Sequence, residues 1–519
     1  MTNNFFSGQP SAGGLTTHFE IFPSVERRGS SDVLILPFWQ NGDVAQPAAP
    51  FESLLEKVSP PLRTKDFTGE LYTTWWTYSN EPNEKRILLL GLGVKGELTQ
   101  EKLRAAYGKA TRACRTKRVG EVSILFPEMD LITHTEAAKA IVTGLMLANY
   151  SYDSRKQDEN KKRHQILKFS FIGYTPHVQA DIDEAACICR SVCFARDLIN
   201  GNADAITPAF LGQQAMRLAQ EQSSLRATVY EKQWIEEQGM GLLAAVGQGA
   251  EHPPAFIVLE YRGAPLTQDL TVLVGKGVTF DSGGLILKPK ENILIQKSDM
   301  SGAAAVLATM QAVAALELAV NVTAVIPACE NAIGSKSYKP GDVYKSFTGK
   351  TVEITNTDAE GRLILADAIA WAKKALTPSR IIDMATLTGA IIVALGTEVA
   401  GLFSNSDSLA QELLHAGEAV HERAWRMPLY EEYGKLLESD IADYKNAAAV
   451  RDAGSIVAAL FLAEFVGKTP WVHLDIAGVA YKGEEGAYQP KYGTGYGVRL
   501  LVEYLVQAVH TTYATSQAR

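Results

Sequence analysis

The sequence predicts an α/β protein of two domains: a small N-terminal α/β domain, and a larger C-terminal domain with a mostly parallel sheet flanked by helices. Three observations carry that expectation. Apolar runs of strand length alternate with helix-period patterns along most of the chain. Some runs, above all 269–275, are nearly uninterrupted, as in strands buried on both faces. The 519 residues also exceed what one core ordinarily organises.

Taken in order, the N-terminus is rich in Gly, Ser and Thr and is expected to be loosely ordered until Thr17–Phe22. Val33–Phe38 reads as a buried strand, Leu71–Tyr78 as an aromatic one, and Lys85–Gly93 as a strand running into a glycine turn. Thr99 is placed to cap a helix through Leu103, Ala106 and Tyr107. Val122–Phe126 is the next strand and Glu136–Tyr150 the next helix. Between Tyr152 and Lys168 the chain is polar and basic, the composition of a surface linker or insertion. The first domain is therefore expected over 1–175 and the second over 176–519. The second opens with helices at Ala185–Asn200 and after Thr207-Pro208, a cap and first turn. Strands follow at Ala227–Tyr230, Ala255–Glu260, Asp269–Gly275, Val320–Pro327, Val352–Thr355, Arg380–Thr386 and Val472–Ile476. Helices are expected at Lys232–Gln238, Ser301–Ala315, Arg362–Leu376 and from Tyr496. Ligands of such a sheet sit at the carboxyl ends of its strands.

Composition narrows the function classes. Charged residues are 21% and hydrophobic ones 46%, a soluble globular profile. Five cysteines, few and odd in number, fit a reducing, cytoplasmic compartment. Met1–Gly14 has no basic residue and no long apolar run, so no secretory or transit signal is expected, and no stretch is long enough to span a bilayer. The net charge of −8 is uneven: 22 basic against 19 acidic residues through Tyr174 (+3), and 28 against 39 beyond it (−11). An acidic second part argues against a phosphate backbone as its partner and suits metal binding. Two basic runs, Lys109–Arg118 and Arg155–Arg163, read as a solvated helix face and a connector rather than a nucleic-acid patch.

The chemistry concentrates in Asn356-Thr-Asp-Ala-Glu-Gly-Arg-Leu363. Asp358 and Glu360 are two apart, so an extended backbone would point both the same way, with Gly361 breaking the strand before a helix. A second stretch, Gly275-Lys-Gly-Val-Thr-Phe-Asp-Ser-Gly-Gly284, follows the strand 269–275; Lys288 comes next, and Asp299 precedes the helix at Ser301. Asp281, Asp299, Asp358 and Glu360, without any histidine, can hold two divalent cations if some oxygens bridge. Carboxylates favour Mg, Mn or Co, while an amine ligand would favour Zn. Lys276 and Lys288 can either lose a proton beside a metal and coordinate, or stay charged and polarise a substrate oxygen.

These two stretches resemble the leucine aminopeptidase family of cytosolic dimetal exopeptidases. The likeness runs from Arg196-Asp-Leu-Ile-Asn200 to Tyr496-Gly-Val-Arg-Leu500, through Glu330-Asn331, Pro340-Gly-Asp-Val343, Thr386-Leu-Thr-Gly389 and His473-Leu-Asp-Ile-Ala-Gly478. The resemblance implies a tightly held metal on Lys276, Asp281, Asp299 and Glu360. It implies a more exchangeable one on Asp281, Asp358 and Glu360, with the main-chain carbonyl of Asp358. Lys288 would stabilise the oxyanion, and Arg362 would anchor a bicarbonate acting as general base. Substrate would meet Lys276, Asp281, Lys288, Asp299, Asp358 and Leu387. The implied activity is removal of leucine or other apolar N-terminal residues from peptides, by a homohexamer whose active sites face an interior cavity. Gln296, three before Asp299, stands where family members often carry methionine, and weighs against a strict leucine preference.

Competing motifs fail. His421-Glu422 begins a metalloprotease-like HExxH, but Trp425 holds the second histidine's place; Gly91-Leu-Gly93 lacks the third glycine and the acid of a dinucleotide site; no Gly-x-Ser-x-Gly is present. His473 and Asp475 read as a core pair at a strand end. A nucleic-acid-binding scaffold is the alternative from another class, since some bacterial relatives bind DNA. A two-metal phosphoesterase would want more cationic clamps.

Overall fold

The structure, a computed structural model, describes residues 17–79, 82–153, 155–173, 178–450 and 452–517. The stretch expected to lack a targeting signal lies outside them. By their internal contacts the described residues form two units. One runs to Cys193 and takes in Gly483–Lys491; the other is Phe194–Lys482 with Tyr492 onward.

The first unit is built on strands β1 (His18–Phe22), β2 (Val33–Asn41), β3 (Val44–Pro47), β4 (Thr74–Tyr78), β5 (Arg86–Gly91), β6 (Glu121–Leu125) and β7 (Lys168–Ile172). Their order is β1-β7-β6-β2-β5-β4, with β3 hairpinned onto β2. All neighbours are parallel except β4 and β3. One face carries a cluster of Leu34, Leu36, Phe38, Ile87 and Leu89, with the Phe51 and Phe67 rings edge-on to Phe38. Helices α1 (Gln100–Thr116) and α2 (His134–Asn149) start where their caps dictate. Thr99 accepts from the Lys102 amide, and Thr133 forms a capping box with Glu136. The two helices cross so closely that a Cβ on Gly144 would meet the Arg104 carbonyl at 2.2 Å.

The second unit carries the larger sheet: β8 (Leu225–Glu231), β9 (Ala255–Arg262), β10 (Thr271–Gly275), β11 (Gly277–Asp281), β12 (Asn321–Asn331), β13 (Val343–Lys345), β14 (Thr351–Glu353), β15 (Arg380–Ala385), β16 (Ala400–Ser404), β17 (Ala424–Arg426), β18 (Tyr444–Lys445) and β19 (Trp471–Asp475). The main order is β17-β16-β19-β15-β10-β12-β9-β8, β11 also pairs with β12, and β13-β14-β18 form a small separate sheet. β19, β15, β10 and β12 run parallel at the centre; β9 and β8 are antiparallel additions. The central strands are buried along nearly their whole length, as their apolar runs require. All four end on the same edge, where the motif residues begin.

Helix α3 (Gln179–Asn200) spans the change from one unit to the other; α4 (Pro208–Glu221), α5 (Ser301–Ala315) and α6 (Glu360–Leu376) belong with the larger sheet. Alanines let α5 press onto that sheet: a Cβ on Gly302 would lie 2.1 Å from the Met384 carbonyl. Among the described residues, no helix is long and apolar enough to cross a membrane. The five cysteines are buried and none is in a disulfide.

One buried acid ties α6 to its surroundings. The Asp367 carboxylate accepts from the amides of Leu242 and Leu243 (2.9 and 3.0 Å) and of Phe347 (2.8 Å). Alanine there would strand three N–H groups in the core. We expect Asp367→Ala to cost roughly 3 kcal/mol or more of stability. A thermal midpoint several degrees lower would show it, and an unchanged one would refute this role.

Candidate metal centre

β10 ends at Gly275, so Lys276 stands at the carboxyl edge of the central sheet. Its amide donates to the Met384 carbonyl and its own carbonyl accepts from Ala303, which locks its backbone between β15 and α5. β11 ends on Asp281, and the chain then turns through Gly283 and Gly284, both with positive φ (+87° and +64°). A Cβ on Gly283 would meet the Ile286 carbonyl at 2.5 Å and Asp358 Oδ1 at 2.9 Å, so only glycine lets this turn lie against the next motif. The turn delivers Lys288. Asp299 follows a 3-10 turn (Gln296–Ser298), two residues before α5.

The stretch 356–363 is not extended. Asp358 lies in a turn and Glu360 is the first residue of α6. The carboxylates converge through that turn rather than through strand alternation. The Asn356 side chain causes it, accepting from the Asp358 amide at 2.8 Å in place of a ladder bond. Gly361 is not a breaker either, but a helical residue. Its missing side chain leaves room for Lys276, whose Cε and Nζ would lie 2.6 and 2.7 Å from a Cβ there.

Six of the expected residues meet. Lys276 Nζ lies 2.8 Å from Asp299 Oδ1 and 2.8 Å from Glu360 Oε1, and donates to the Thr386 carbonyl at 2.8 Å. Lys288 Nζ bridges Asp281 Oδ2 (2.7 Å) and Asp358 Oδ1 (2.5 Å). Asp281, Asp358 and Glu360 each offer an oxygen within 4.8 Å of the others. Four carboxylates thus face two ammoniums. Burial pulls Lys276 down, but Asp299, Glu360 and Asp281 outweigh it and hold it well above the lysine range. Lys288 behaves alike. Burial, then neighbouring acids, push Asp281 and Asp358 up, and burial takes Asp299 to about 6. Burial also opposes ionisation of Glu360, but Lys276 and Lys288 prevail and lower it.

The donor set fits divalent cations. Asp299 Oδ2 and Glu360 Oε2 are buried and, among the described residues, accept no hydrogen bond. A buried carboxylate oxygen without a donor is costly unless a cation meets it. Oxygen-rich ligation with one amine within reach suits hard or borderline dications.

Arg362 is buried, donates from Nη1 to the Asn446 carbonyl at 2.8 Å, and has no partner for Nε among the described residues. Burial lowers it to about 10, which leaves it charged at neutral pH. Leu387 is half-buried beside Gly361. Gln296 turns its amide back onto the Asn292 carbonyl at 3.0 Å.

Sequence reasoning left other contributors without a role. Asn331 Nδ2 donates to Asp281 Oδ1 (2.8 Å) and to the Thr357 carbonyl (2.9 Å), joining the two motifs; Tyr338 donates to the same carbonyl at 2.6 Å. Asn446 accepts from the amides of Thr355 and Asn356 and donates to the Asn356 carbonyl. Asn331 was visible beside Glu330, but Asn446 is some ninety positions away and carries no local signal. The expected pairing of His473 with Asp475 is also corrected. His473 Nδ1 bonds Asp383 Oδ1 at 2.6 Å, its neighbour across the β15–β19 register. Asp475, one side-chain alternation on, accepts from Thr388 Oγ1 (2.7 Å) and the Leu387 amide (3.1 Å), and so positions the Leu387 loop.

Comparison with known proteins follows the same outline. Residues 193–502 match the catalytic domain of the cytosol aminopeptidase family, and residues 35–159 its N-terminal domain. The chain is 49% identical over 492 residues to a probable cytosol aminopeptidase of Protochlamydia amoebophila (strain UWE25), an alignment covering 94% of this chain and 98% of that one. It is 46% identical over 487 residues to one from Chlamydia felis (strain Fe/C-56), covering 92% and 97%. Among solved structures it is similar to the bottromycin maturation enzyme BotP, with a TM-score of 0.82, 33% identity, and coverage of 93% and 100%. A structure of BotP in complex with Mn is equally similar, with a TM-score of 0.82 and 33% identity over 92% of this chain and 100% of that one.

Proposed function

The chain belongs to the cytosol aminopeptidase family, and from that premise we propose that it hydrolyses the first peptide bond of peptides with two divalent cations, preferring leucine or other apolar N-terminal residues. The observation that carries this reading is the pair of buried, unpartnered carboxylate oxygens on Asp299 and Glu360, within a cluster of four acids and two lysines. Lys276, Asp281, Asp299 and Glu360 would hold the tight cation. Asp281, Asp358, its main-chain carbonyl and Glu360 would hold the exchangeable one. When bound, the cations would supply a nucleophilic water at neutral pH, polarise the scissile carbonyl and receive the substrate's free α-amine. The amine of Lys276 supports zinc at the tight site; the likeness to BotP with Mn supports manganese at the other, where cobalt or magnesium also suit the oxygen set.

The remaining roles fall to side chains. Lys288 keeps its charge between Asp281 and Asp358 and stabilises negative charge developing on the carbonyl oxygen. Arg362, whose Nε has no partner among the described residues, would hold a bicarbonate, and that anion would supply a general base. Lys276, Asp281, Lys288, Asp299, Asp358 and Leu387 form the substrate's surroundings. The turn of Gln296 onto Asn292 gives no methionine-like lining and supports a broader apolar preference. Family membership supports a homohexamer with active sites on an interior cavity and a cytoplasmic location, which cysteines outside any disulfide suit. The acidic balance beyond Tyr174 supports peptide rather than nucleic acid as the catalytic unit's partner.

The test is hydrolysis of a leucine chromogenic amide. A chelator should abolish it and Mn should restore it. Asp358→Ala should lower kcat/KM by about 10²-fold or more. Undiminished cleavage by that variant would end the metal assignment.

A further inference from the structure

Much of the two basic runs is solvated as expected, with Lys109, Lys117, Arg118, Arg155, Lys156, Lys161 and Arg163 exposed, but the runs are not independent of one another. They fold onto one another in the N-terminal unit around a cavity of about 340 Å³, closed on one side by Glu485 from the segment Gly483–Lys491. Arg112, Arg115 and Arg118 come from the first run or its end, Lys162 and Arg163 from the second.

The cavity is built. Arg112 is fixed by bonds from Nε and Nη2 to the carbonyls of Ala487 and Gln489, both 2.8 Å. Arg115 is 8% exposed. Its Nε donates to the His164 carbonyl (2.8 Å) and its Nη1 to those of Ala148 and Tyr150 (2.6 and 3.1 Å). Its Nη2 is buried and has no partner among the described residues. Charge is in excess too. Arg112 (2.5 Å) and Arg163 both pair with Glu485, Lys162 pairs with Glu159, and the Arg163 amide bonds Asp153. Five cations against those three acids leave two positive charges unmatched. Burial, together with Arg163 and Arg112, lowers Arg115 to about 10 against the opposing pull of Glu485 and Asp153.

We propose that this cavity binds a small phosphate-type dianion, either inorganic phosphate or the terminal group of a phosphate monoester, on Arg112, Arg115, Arg118 and Arg163, with Glu485 as the internal carboxylate it competes against. One carboxylate spans two guanidiniums but leaves Arg115 Nη2 unmet. A tetrahedral anion brings more acceptor oxygens and the second charge. A concave cavity lined by guanidiniums from both runs suits a single phosphate group. A duplex would need a run of exposed phosphate contacts.

Titration calorimetry of the metal-loaded full chain with inorganic phosphate tests this. Phosphate can also meet the catalytic cations, so the difference between variants is what is read. Glu485→Gln removes the competing charge and should tighten binding about tenfold; Arg118→Gln with Arg163→Gln, on the rim, should weaken it about tenfold or abolish it. Leucine amide hydrolysis should be unchanged in both, which separates failure here from failure of the peptidase reading. Equal affinity in all three proteins would overturn the proposal. So would binding of a short DNA duplex that phosphate cannot displace, which would give the cavity to nucleic acid.

Discussion

Glu360→Gln should reduce hydrolysis of leucine amides by on the order of 10³-fold or more, with the fold retained. Glu360 is an acid assigned to both proposed cation sites. Its Oε1 lies 2.8 Å from Lys276 and its Oε2 has no donor among the described residues. Glutamine keeps the shape and one acceptor but puts an N–H₂ where the second cation contact would be, and it removes a full negative charge from a buried cluster. The carboxylates would then fall from four to three against two lysines. We therefore expect bound metal, measured by mass spectrometry of the dialysed protein, to fall below two ions per chain. The side-chain carbonyl that glutamine presents to Lys276 should keep the thermal midpoint of the metal-free protein near wild type. Wild-type turnover with full metal content would remove Glu360 from the centre.

Gly361→Ala is the second expected large effect, and it runs against helix propensity. Alanine is better than glycine by about 1 kcal/mol in a helix interior and by less in the first turn, where Gly361 stands, so on local grounds the substitution does not weaken α6. Yet the new methyl would lie 2.6 Å from Lys276 Cε, 2.7 Å from its Nζ and 3.0 Å from Leu387 Cδ1. A flexible lysine elsewhere would swing aside. Here the ammonium is buried and held by Asp299, Glu360 and the Thr386 carbonyl, so moving it breaks three contacts at once. Activity should fall by about 10²-fold or more while circular dichroism and solubility stay normal. Rates equal to wild type would show that Lys276 yields freely and that its position is not needed for turnover.

The chemistry was legible because it is local. Asp281, Asp299, Asp358 and Glu360 sit at element ends, and apolar runs announced the elements themselves. Geometry within the octapeptide was not legible. Spacing alone cannot separate a strand pair from a turn that starts a helix, and the Asn446 clamp on that turn arrives from a distant segment. The helix Gly454–Val466 escaped notice because it is apolar on nearly every side and has no period to read. β7 was hidden by the charged run before it. The change of unit inside α3 leaves no mark, because a continuous helix gives no turn residues to read.

The excursion Gly483–Lys491 has a practical corollary for anyone trimming the gene. A recombinant fragment stopping at Cys193 would leave the Arg112 guanidinium without its Ala487, Gln489 and Glu485 acceptors, and Glu101 without the Tyr488 hydroxyl. The amino-terminal piece is therefore completed by nine residues, Gly483–Lys491, that lie far along the chain from it. A truncated product is an unfinished object rather than a smaller version of the same one.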